Sequence, residues 1–425
     1  MFDVLIIGGG ASGFYAAIHI AEQNPTLKIG ILEKGKDVLA KVRISGGGRC
    51  NVTHAEFNPK ELTTNYPRGE KELLGPFHKY CSGDTVGFFQ ERGVALKIEE
   101  DGRMFPESNT SQTIIDCFLK ETERLGVHIL KHSAVTNVVF NKETQECHIT
   151  TIKNQYQSKK LLVATGSSPK IWSLLKKLGH TIVPPVPSLF TFNIKDPRIS
   201  GIPGLSTVAK VTVISKKKYT GTIPLRSKIA SEPLLEEEGP LLITHWGMSG
   251  PAILKLSAWG ANTLHNLNYT FDIVVNWLPQ FHEGAVIDYL LQIKEVEAKK
   301  TILRTKTVEV PKRLWINLVK ASGISDQLKW ADITKTQIHN LAEQLTKSTF
   351  SVDGKSTFKE EFVTAGGVAL NEINFKTYAS KKVPNLFFAG EVMNVDAITG
   401  GFNFQNAWTS GYLAAQGITA AFKEK

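Results

Sequence analysis

The stretch VLIIGGGASG, residues 4–13, decides the fold. An apolar run with strand character, Val4 to Ile7, passes into Gly8-x-Gly10-x-x-Gly13 and then into a helix-forming segment, Phe14 to Glu22. In such a strand–turn–helix unit Gly8 permits the tight turn, Gly10 lets the backbone approach a pyrophosphate, and Gly13 lets the helix pack closely on the strand. The start of the helix offers N–H groups and a positive end to the phosphates. A second apolar run, Lys28 to Leu32, ends at Glu33, whose carboxylate is placed to accept both hydroxyls of an adenosine ribose; this argues against a 2′-phosphate there. The expectation is an α/β chain that begins with a Rossmann-like domain.

With 425 residues the chain exceeds one ordinary core, so two or three domains are expected. Cys50, Cys81, Cys117 and Cys147 are widely spaced and form no C-x-x-C, which points to neither a disulfide framework nor a zinc site and suits a reducing cytoplasm. The first apolar run is broken by three glycines and lacks a basic leader, so it reads as buried strand and helix rather than a signal peptide. Residues 401–422 carry no charge, yet Asn403, Gln405, Asn406, Thr409, Ser410 and Gln416 make a buried helix the expectation, not a membrane span. The net charge of +10 is spread over scattered lysines and short clusters such as Lys216 to Lys218. It reads as a solvated basic surface, and no RNA-binding motif accompanies it, so a nucleic-acid partner is not expected.

A second glycine cluster follows Glu33, in KGKDVLAKVRISGGGRCNVTH. It reads as a loop in which Gly46, Gly47 and Gly48 permit close approach to something flat or phosphorylated, with Lys41, Arg43 and Arg49 beside it. Residues 60–110 read as helices and connections ending in a turn-rich loop, DGRMFPESNTS. Ser111 to Leu125 carries a helical apolar stripe stopped by Gly126. Val127 to Leu130, Val135 to Phe140, Cys147 to Ile152 and Leu161 to Ala164 read as strands, and Ser168-Pro169 opens a helix that closes at Gly179. VPPVPSLF, residues 183–190, has the composition of a linker. Beyond it Ala209 to Ser215, Tyr219 to Pro224 and Leu241 to Thr244 suggest a small antiparallel barrel or sheet. A helix is then capped by Ser249, and a lysine-rich helical region runs from about Pro279 to Phe350. Strands return at Ser351 to Phe358 and Glu361 to Thr364. Near the end, Leu386 to Ala389 is a short buried strand. It is followed by Gly390-Glu391, a loop to Asp396, and Gly400-Gly401-Phe402-Asn403 opening the uncharged helix. Strand, acid, glycines and helix start repeat the logic of the opening, and a helix start aimed at a flavin ring would stabilise its anionic reduced form.

With these stretches in place the chain resembles a bacterial family of NAD(P)/FAD-dependent oxidoreductases whose members include aminoacetone oxidases and dehydro-bile-acid reductases. The resemblance rests on IIGGGASG at 6–13, KVRISGGGRCNVT at 41–53, GRMFPES at 102–108, THWGMSGPAIL at 244–254, VTAGGV at 363–368 and FFAGEVMNVDAITGGFNFQNAWTSG at 387–411. It implies a glutathione-reductase-type FAD-binding domain from 1–188 and 359–425, an inserted β-barrel domain from 189–278 and 350–358, and a small helical subdomain from 279–349. By this resemblance Gly8, Gly10, Ser12 and Gly13 hold the pyrophosphate and Glu33 the adenosine ribose, with Ala11 and Lys34 also among the cofactor-binding residues. Val135 lies on the adenine side. Lys41 and the segment Ser45, Gly46, Gly47, Gly48, Arg49 and Asn51 line the flavin. Ala164, Thr165 and Gly166 pass the cofactor again, Glu391 and Asn403 meet its ribityl and flavin end, and Gly390, Asp396, Gly400, Gly401 and Phe402 are also among the cofactor-binding residues. VTAGGV is similar to a segment facing the flavin in fumarate-reductase-type enzymes, which implies hydride transfer to or from carbon. Asn394, Ala397 and Phe402 depart from the family's usual Asp, Gly and Tyr and reshape the substrate side.

The expected activity is FAD-dependent hydride transfer between flavin N5 and a small organic substrate, with NADH or NADPH as a transient reductant, since no second GxGxxG is present. Amine or aminoketone oxidation yielding peroxide, a flavoprotein acting on RNA, and a flavin redox sensor without turnover stay open. Arg49, Cys50, His54, Arg103 and His245 are candidates for proton transfer or substrate anchoring, though each also has a structural reading. For His245, which precedes a helix, that reading is burial or capping.

Overall fold

The computed structural model describes residues 1–141, 143–214, 233–306, 308–356 and 363–423. Its contacts divide the chain into two compact units, residues 1–187 with 359–425 and residues 188–358.

In the first unit Phe2–Ile7 lies between Ile29–Leu32 and Gln155–Val163 and is parallel to both, with Ile6 opposite Ile31 on one side and Leu162 on the other. His128–Leu130 extends the sheet beyond Ile29–Leu32, and Leu386–Phe388, from the far end of the chain, adds in parallel beyond Gln155–Val163. Val4 to Ile7 are buried on both faces, as continuous apolar runs in parallel sheets require. Gln155–Val163 is longer than the Leu161 to Ala164 run anticipated. Its first half alternates exposed and buried residues because it pairs antiparallel with Cys147–Thr151 at the sheet's margin, and only its second half enters the parallel core.

Helix Ala11–Gln23 packs along the C-terminal helix Phe402–Lys423. Their approach is close at Gly411, where a Cβ would lie 2.9 Å from the Ser12 carbonyl oxygen. Tyr15 and Trp408 meet there, with ring centroids 5.1 Å apart, and Phe118 sits 5.6 Å from Trp408. This contact explains the uncharged C-terminal segment: it is a core helix whose buried Gln405, Thr409 and Ser410 all have hydrogen-bond partners. Among the described residues no helix is long and apolar enough to cross a membrane.

The proline-rich stretch expected as a linker is the strand Ile182–Pro187, antiparallel to Thr364–Val368. Proline normally interrupts a ladder, but here the pairing skips from Val183–Gly367 to Val186–Ala365, and the bulge absorbs Pro184 and Pro185. Gly366 is required opposite them, since its Cβ would fall 2.7 Å from Pro185 Cα. A second correction concerns DGRMFPESNTS. Arg103–Pro106 within it is the central strand of a three-stranded sheet with Thr53–His54 and Leu96–Ile98, because Met104 and Phe105 are both buried.

The second unit is built on a seven-stranded antiparallel sheet in the order Ser348–Asp353, Thr270–Asn276, Ser206–Ile214, Pro233–Ile243, Gly247–Ser249, Thr191–Asn193, Lys355–Ser356. Its first and last strands are separated in sequence by Gly354 alone, so the sheet curls back on itself. Helices Glu283–Val296, Lys312–Ala321 and Lys335–Thr346 share one buried core with it, in which Val211, Ile273 and Phe350 join Leu290, Trp315 and Leu341. Helix Pro251–Trp259 starts from Gly250, not from the expected Ser249, which ends the preceding strand. The expected strand Tyr219 to Pro224, the cluster Lys216 to Lys218, and Glu361 and Phe362 of the expected strand Glu361 to Thr364 lie outside the described residues.

Candidate functional site

The first unit brings four separated segments together. At the first, Gly8 has φ +113° and touches the end of the neighbouring strand so closely that a Cβ would sit 2.3 Å from the Ala164 carbonyl oxygen. A Cβ on Gly13 would lie 2.1 Å from the Gly8 carbonyl oxygen, so the helix can start against the strand only with glycine there. Gly10 has open space where a side chain would be, and no side chain caps the helix that Ala11 begins. The backbone is therefore bare on the side where a diphosphate would approach.

Glu33 follows strand Ile29–Leu32, and its carboxylate is fixed rather than loose. One oxygen accepts from Gly9 N–H at 2.9 Å and the other from Gly35 N–H at 2.7 Å. Its backbone is paired with Leu130 and Ser133, which brings the chain to Val135, the buried first residue of the next strand. Lys34 is exposed beside it.

The second glycine cluster differs from the loop anticipated. Ala40–Gly48 is helical at its start and breaks at Ser45, Gly46 and Gly47. The backbones of Gly46, Gly47 and Gly48 are all left-handed, with φ of +56°, +67° and +84°. Gly46 packs against Asn51, whereas Gly47 and Gly48 face open space. Leu39 N–H donates to Gly9 O at 2.8 Å and ties this segment to the first turn. Arg49 pairs with Glu99 at 2.6 Å and lies 4.0 Å over the Phe105 ring, so its guanidinium is held in place. Cys50 is wholly buried, and burial pushes its thiol up to about 12, which favours the protonated thiol at neutral pH.

The third and fourth segments close the site. Gly166, at φ +60°, follows Ala164 and Thr165 and lies beside the pair formed by Lys41 and Glu391, whose Nζ and Oε2 are 2.6 Å apart. The other Glu391 oxygen accepts from Thr364 N–H at 3.2 Å. Gly390 sits against Ser12 and donates to Ser410 Oγ at 2.8 Å. Gly400 and Gly401 are both left-handed, and a Cβ on Gly401 would meet Thr53 O at 2.5 Å. The Asn51 amide, in the orientation its neighbours demand, accepts from Gly401 N–H at 2.9 Å and donates to Thr53 O at 3.0 Å.

Other expected residues have structural partners. Asp396 is fully buried, and the Arg68 guanidinium donates to both of its carboxylate oxygens. The Asn403 amide brackets Ala397, accepting from its N–H and donating to its carbonyl, each at 3.0 Å. The Phe402 ring stacks on His54 at 4.6 Å, and His54 Nε2 lies 3.1 Å from Asp101 O. Arg103 pairs with Asp101 at 2.7 Å. His245 belongs to the second unit and is exposed, so neither burial nor capping accounts for it. Arg68, Glu99 and the buried set Thr53, Thr85 and Gln405, in which Gln405 Oε1 accepts at 2.6 and 3.0 Å, carried no signal of spacing or pattern in the sequence. Among the described residues no group of three or more His, Cys, Asp or Glu could hold a metal ion.

A bare turn at a helix start, a fixed carboxylate at Glu33 and a glycine-lined opening further along have the character of an extended dinucleotide site. Comparison with known proteins points the same way. Residues 2–417 match the family model described as the HI0933-like protein Rossmann domain. Ribosomal RNA dihydrouridine synthase of Haemophilus influenzae is 29% identical over 430 residues, covering 98% of this chain and 98% of that protein. The 3-dehydro-bile acid delta(4,6)-reductase of Clostridium scindens is 25% identical over 419 residues, covering 97% of each. Among solved structures, 3-ketosteroid delta1-dehydrogenase from Sterolibacterium denitrificans aligns over 99% of both chains with a TM-score of 0.50 at 11% identity, a likeness of fold.

Proposed function

Because this chain belongs to the HI0933-like Rossmann family of FAD-dependent oxidoreductases, we propose that it reduces a carbon–carbon double bond conjugated to a carbonyl, and that the bond lies in a uracil ring of ribosomal RNA. The observation that carries this reading is the end-to-end similarity to ribosomal RNA dihydrouridine synthase, 98% of both chains. Dihydrouridine is uridine saturated at its C5–C6 bond, and a delta(4,6)-reductase likewise saturates bonds conjugated to a ring ketone. The two relatives thus share one chemical change on different molecules. The net charge of +10 suits a polyanionic substrate, although the scattered lysines alone gave no reason to expect one.

Bound FAD supplies two-electron hydride chemistry at its N5. Gly8 to Gly13 and the start of the first helix would take its diphosphate and Glu33 its ribose. The left-handed glycines at 46–48, with Gly166, Glu391 and Gly401, would take the remainder. The Asn51 bond to Gly401 N–H joins the two glycine-bearing walls, and the Lys41–Glu391 pair joins the helical start of the second cluster to the C-terminal loop. Saturation adds a hydride to one carbon and a proton to its neighbour. NADH or NADPH, binding transiently, is the two-electron source we assign.

The test is dihydrouridine formation. FAD-loaded protein with NADPH or NADH and ribosomal RNA from cells lacking this gene should yield uridine heavier by two hydrogens at a single position, read by mass spectrometry. RNA from those cells that already holds its full dihydrouridine and gains none in vitro defeats the RNA reading. The Clostridium scindens relative favours a second reading, a steroid-like enone, which would be selected by NAD(P)H oxidation with a 3-keto-4-ene and none with RNA.

A further inference from the structure

In the second unit the strands Pro233–Ile243 and Gly247–Ser249 are joined by Thr244, His245 and Trp246. The main chain of this turn is tied at every residue but its histidine. Thr244 N–H donates to Gly247 O at 2.8 Å, and Thr244 Oγ1 accepts from the N–H groups of Trp246 and Gly247, each at 3.2 Å. Trp246 O accepts from Ile194 N–H at 2.9 Å. Gly247 is left-handed at φ +145°, and a Cβ there would fall 2.2 Å from Phe192 O, so the turn is pressed onto the adjoining strand Thr191–Asn193. The side chains at the tip are nonetheless presented to solvent: His245 is exposed and Trp246 is 60% exposed. Lys195, which follows the residue bonded to Trp246, is exposed as well.

A single exposed apolar side chain is ordinary and needs no function. Two consecutive rings held out on an over-determined turn, with an exposed lysine next in sequence to the residue bonded to Trp246, are a different matter. The turn loses little conformational freedom when something settles on it, because its backbone is already fixed. An indole face accepts any nucleobase by stacking, and a neighbouring ammonium meets the phosphate that comes with it. We propose that the His245–Trp246 turn is a stacking platform for single-stranded RNA, with Trp246 under a base and Lys195 on the backbone. This rests on the RNA reading above and names the surface that reading requires. The occupant is argued from the RNA reading and charge together: given that reading, a chain carrying +10, with exposed Lys195 one residue beyond the strand residue bonded to Trp246, suits a polyanion better than an uncharged ligand.

The experiment uses the full, FAD-loaded chain and the fluorescence anisotropy of a labelled single-stranded oligouridylate. The expected result is that Trp246→Leu weakens binding about tenfold while Trp246→Phe keeps most of it. Lys195→Ala should lower the slope of log affinity against log salt by about one. Flavin content and melting temperature report that each variant is folded. Wild-type protein that does not bind the oligonucleotide, or Trp246→Leu binding as tightly as wild type, overturns the platform. Binding that depends on Trp246 without any dihydrouridine formed leaves the platform standing and removes the proposed reaction. Dihydrouridine formed at an unchanged rate by Trp246→Leu does the reverse. A steroid enone that shields Trp246 from a collisional quencher, with no RNA bound, replaces the polyanion by a flat apolar ligand and also overturns it.

Discussion

The two glycine-rich stretches, residues 8–13 and 45–51, do different work with the same residue. In the first, glycine is needed for contacts the protein makes with itself: Gly8 against Ala164 and Gly13 against Gly8 leave no room for a methyl group. In the second, a side chain on Gly47 or Gly48 would meet only open space, and their left-handed backbones shape an open wall. The first stretch is completed by Glu33, 24 residues from the Gly9 amide it binds. The second is completed from the other end of the chain, by Gly401 on Asn51 and by Glu391 on Lys41, the latter 350 residues away. A motif that closes on itself can be read locally, and one that closes on distant chain cannot.

That contrast can be broken by substitution. Gly13→Ala should be the most damaging single change, since a Cβ 2.1 Å from the Gly8 carbonyl forces strand and helix apart; overpacking of this kind costs about 3 kcal/mol. Thermal denaturation should show the loss, and the purified protein should be colourless. A yellow Gly13→Ala protein with unchanged melting would mean the turn is not the internally clamped element described. Glu33→Ala comes next. Charge-assisted bonds to Gly9 and Gly35 N–H are removed together with the ribose acceptor, for about 2 kcal/mol, which weakens FAD roughly 30-fold in equilibrium titration.

At neutral pH the smallest effect concerns the second stretch, and it shows only as pH rises. Burial lifts the Cys50 thiol from its ordinary 9.0 to about 12. The unfolded thiol loses its proton first, so this contribution is complete below pH 9 and fades as pH rises toward 12. Cys50→Ala should therefore flatten the alkaline limb of the stability curve, by at most about 1.4 kcal/mol per pH unit, while leaving stability at pH 7 to be set by packing alone. Rapid alkylation of Cys50 in the native protein at pH 8 would contradict its burial.

Legibility followed the range of the interactions. Helix Ser111–Arg124 could be read because its buried Ile114, Ile115 and Phe118 recur at helical spacing and Gly126 ends it. Gln155–Val163 could be half read, since its outer half owes its alternation to a hairpin that the local pattern does not announce. Ile182–Pro187 resisted reading because its prolines are tolerated only through a bulge supplied by a partner strand 180 residues later. Within the site, Arg68 and Asp396 offered no joint signal, being 328 residues apart in sequence and joined only by folding. The His245–Trp246 turn was quoted as a motif, but that its rings are exposed on a tied backbone is a property of three strands together.

The sequence by itself determined the glycine turn at residues 8–13 and the placement of Glu33 after the second strand, which depend on steric and hydrogen-bonding rules that act within a few tens of residues. It also determined the membership of a flavin-dependent family, through stretches spread along the whole chain. The tertiary structure decided which groups complete the second wall, that Asp396 is bound to Arg68, and that Cys50 is wholly buried. These follow from burial and from contacts between chain ends, and neither leaves a period or a spacing in the sequence to be read.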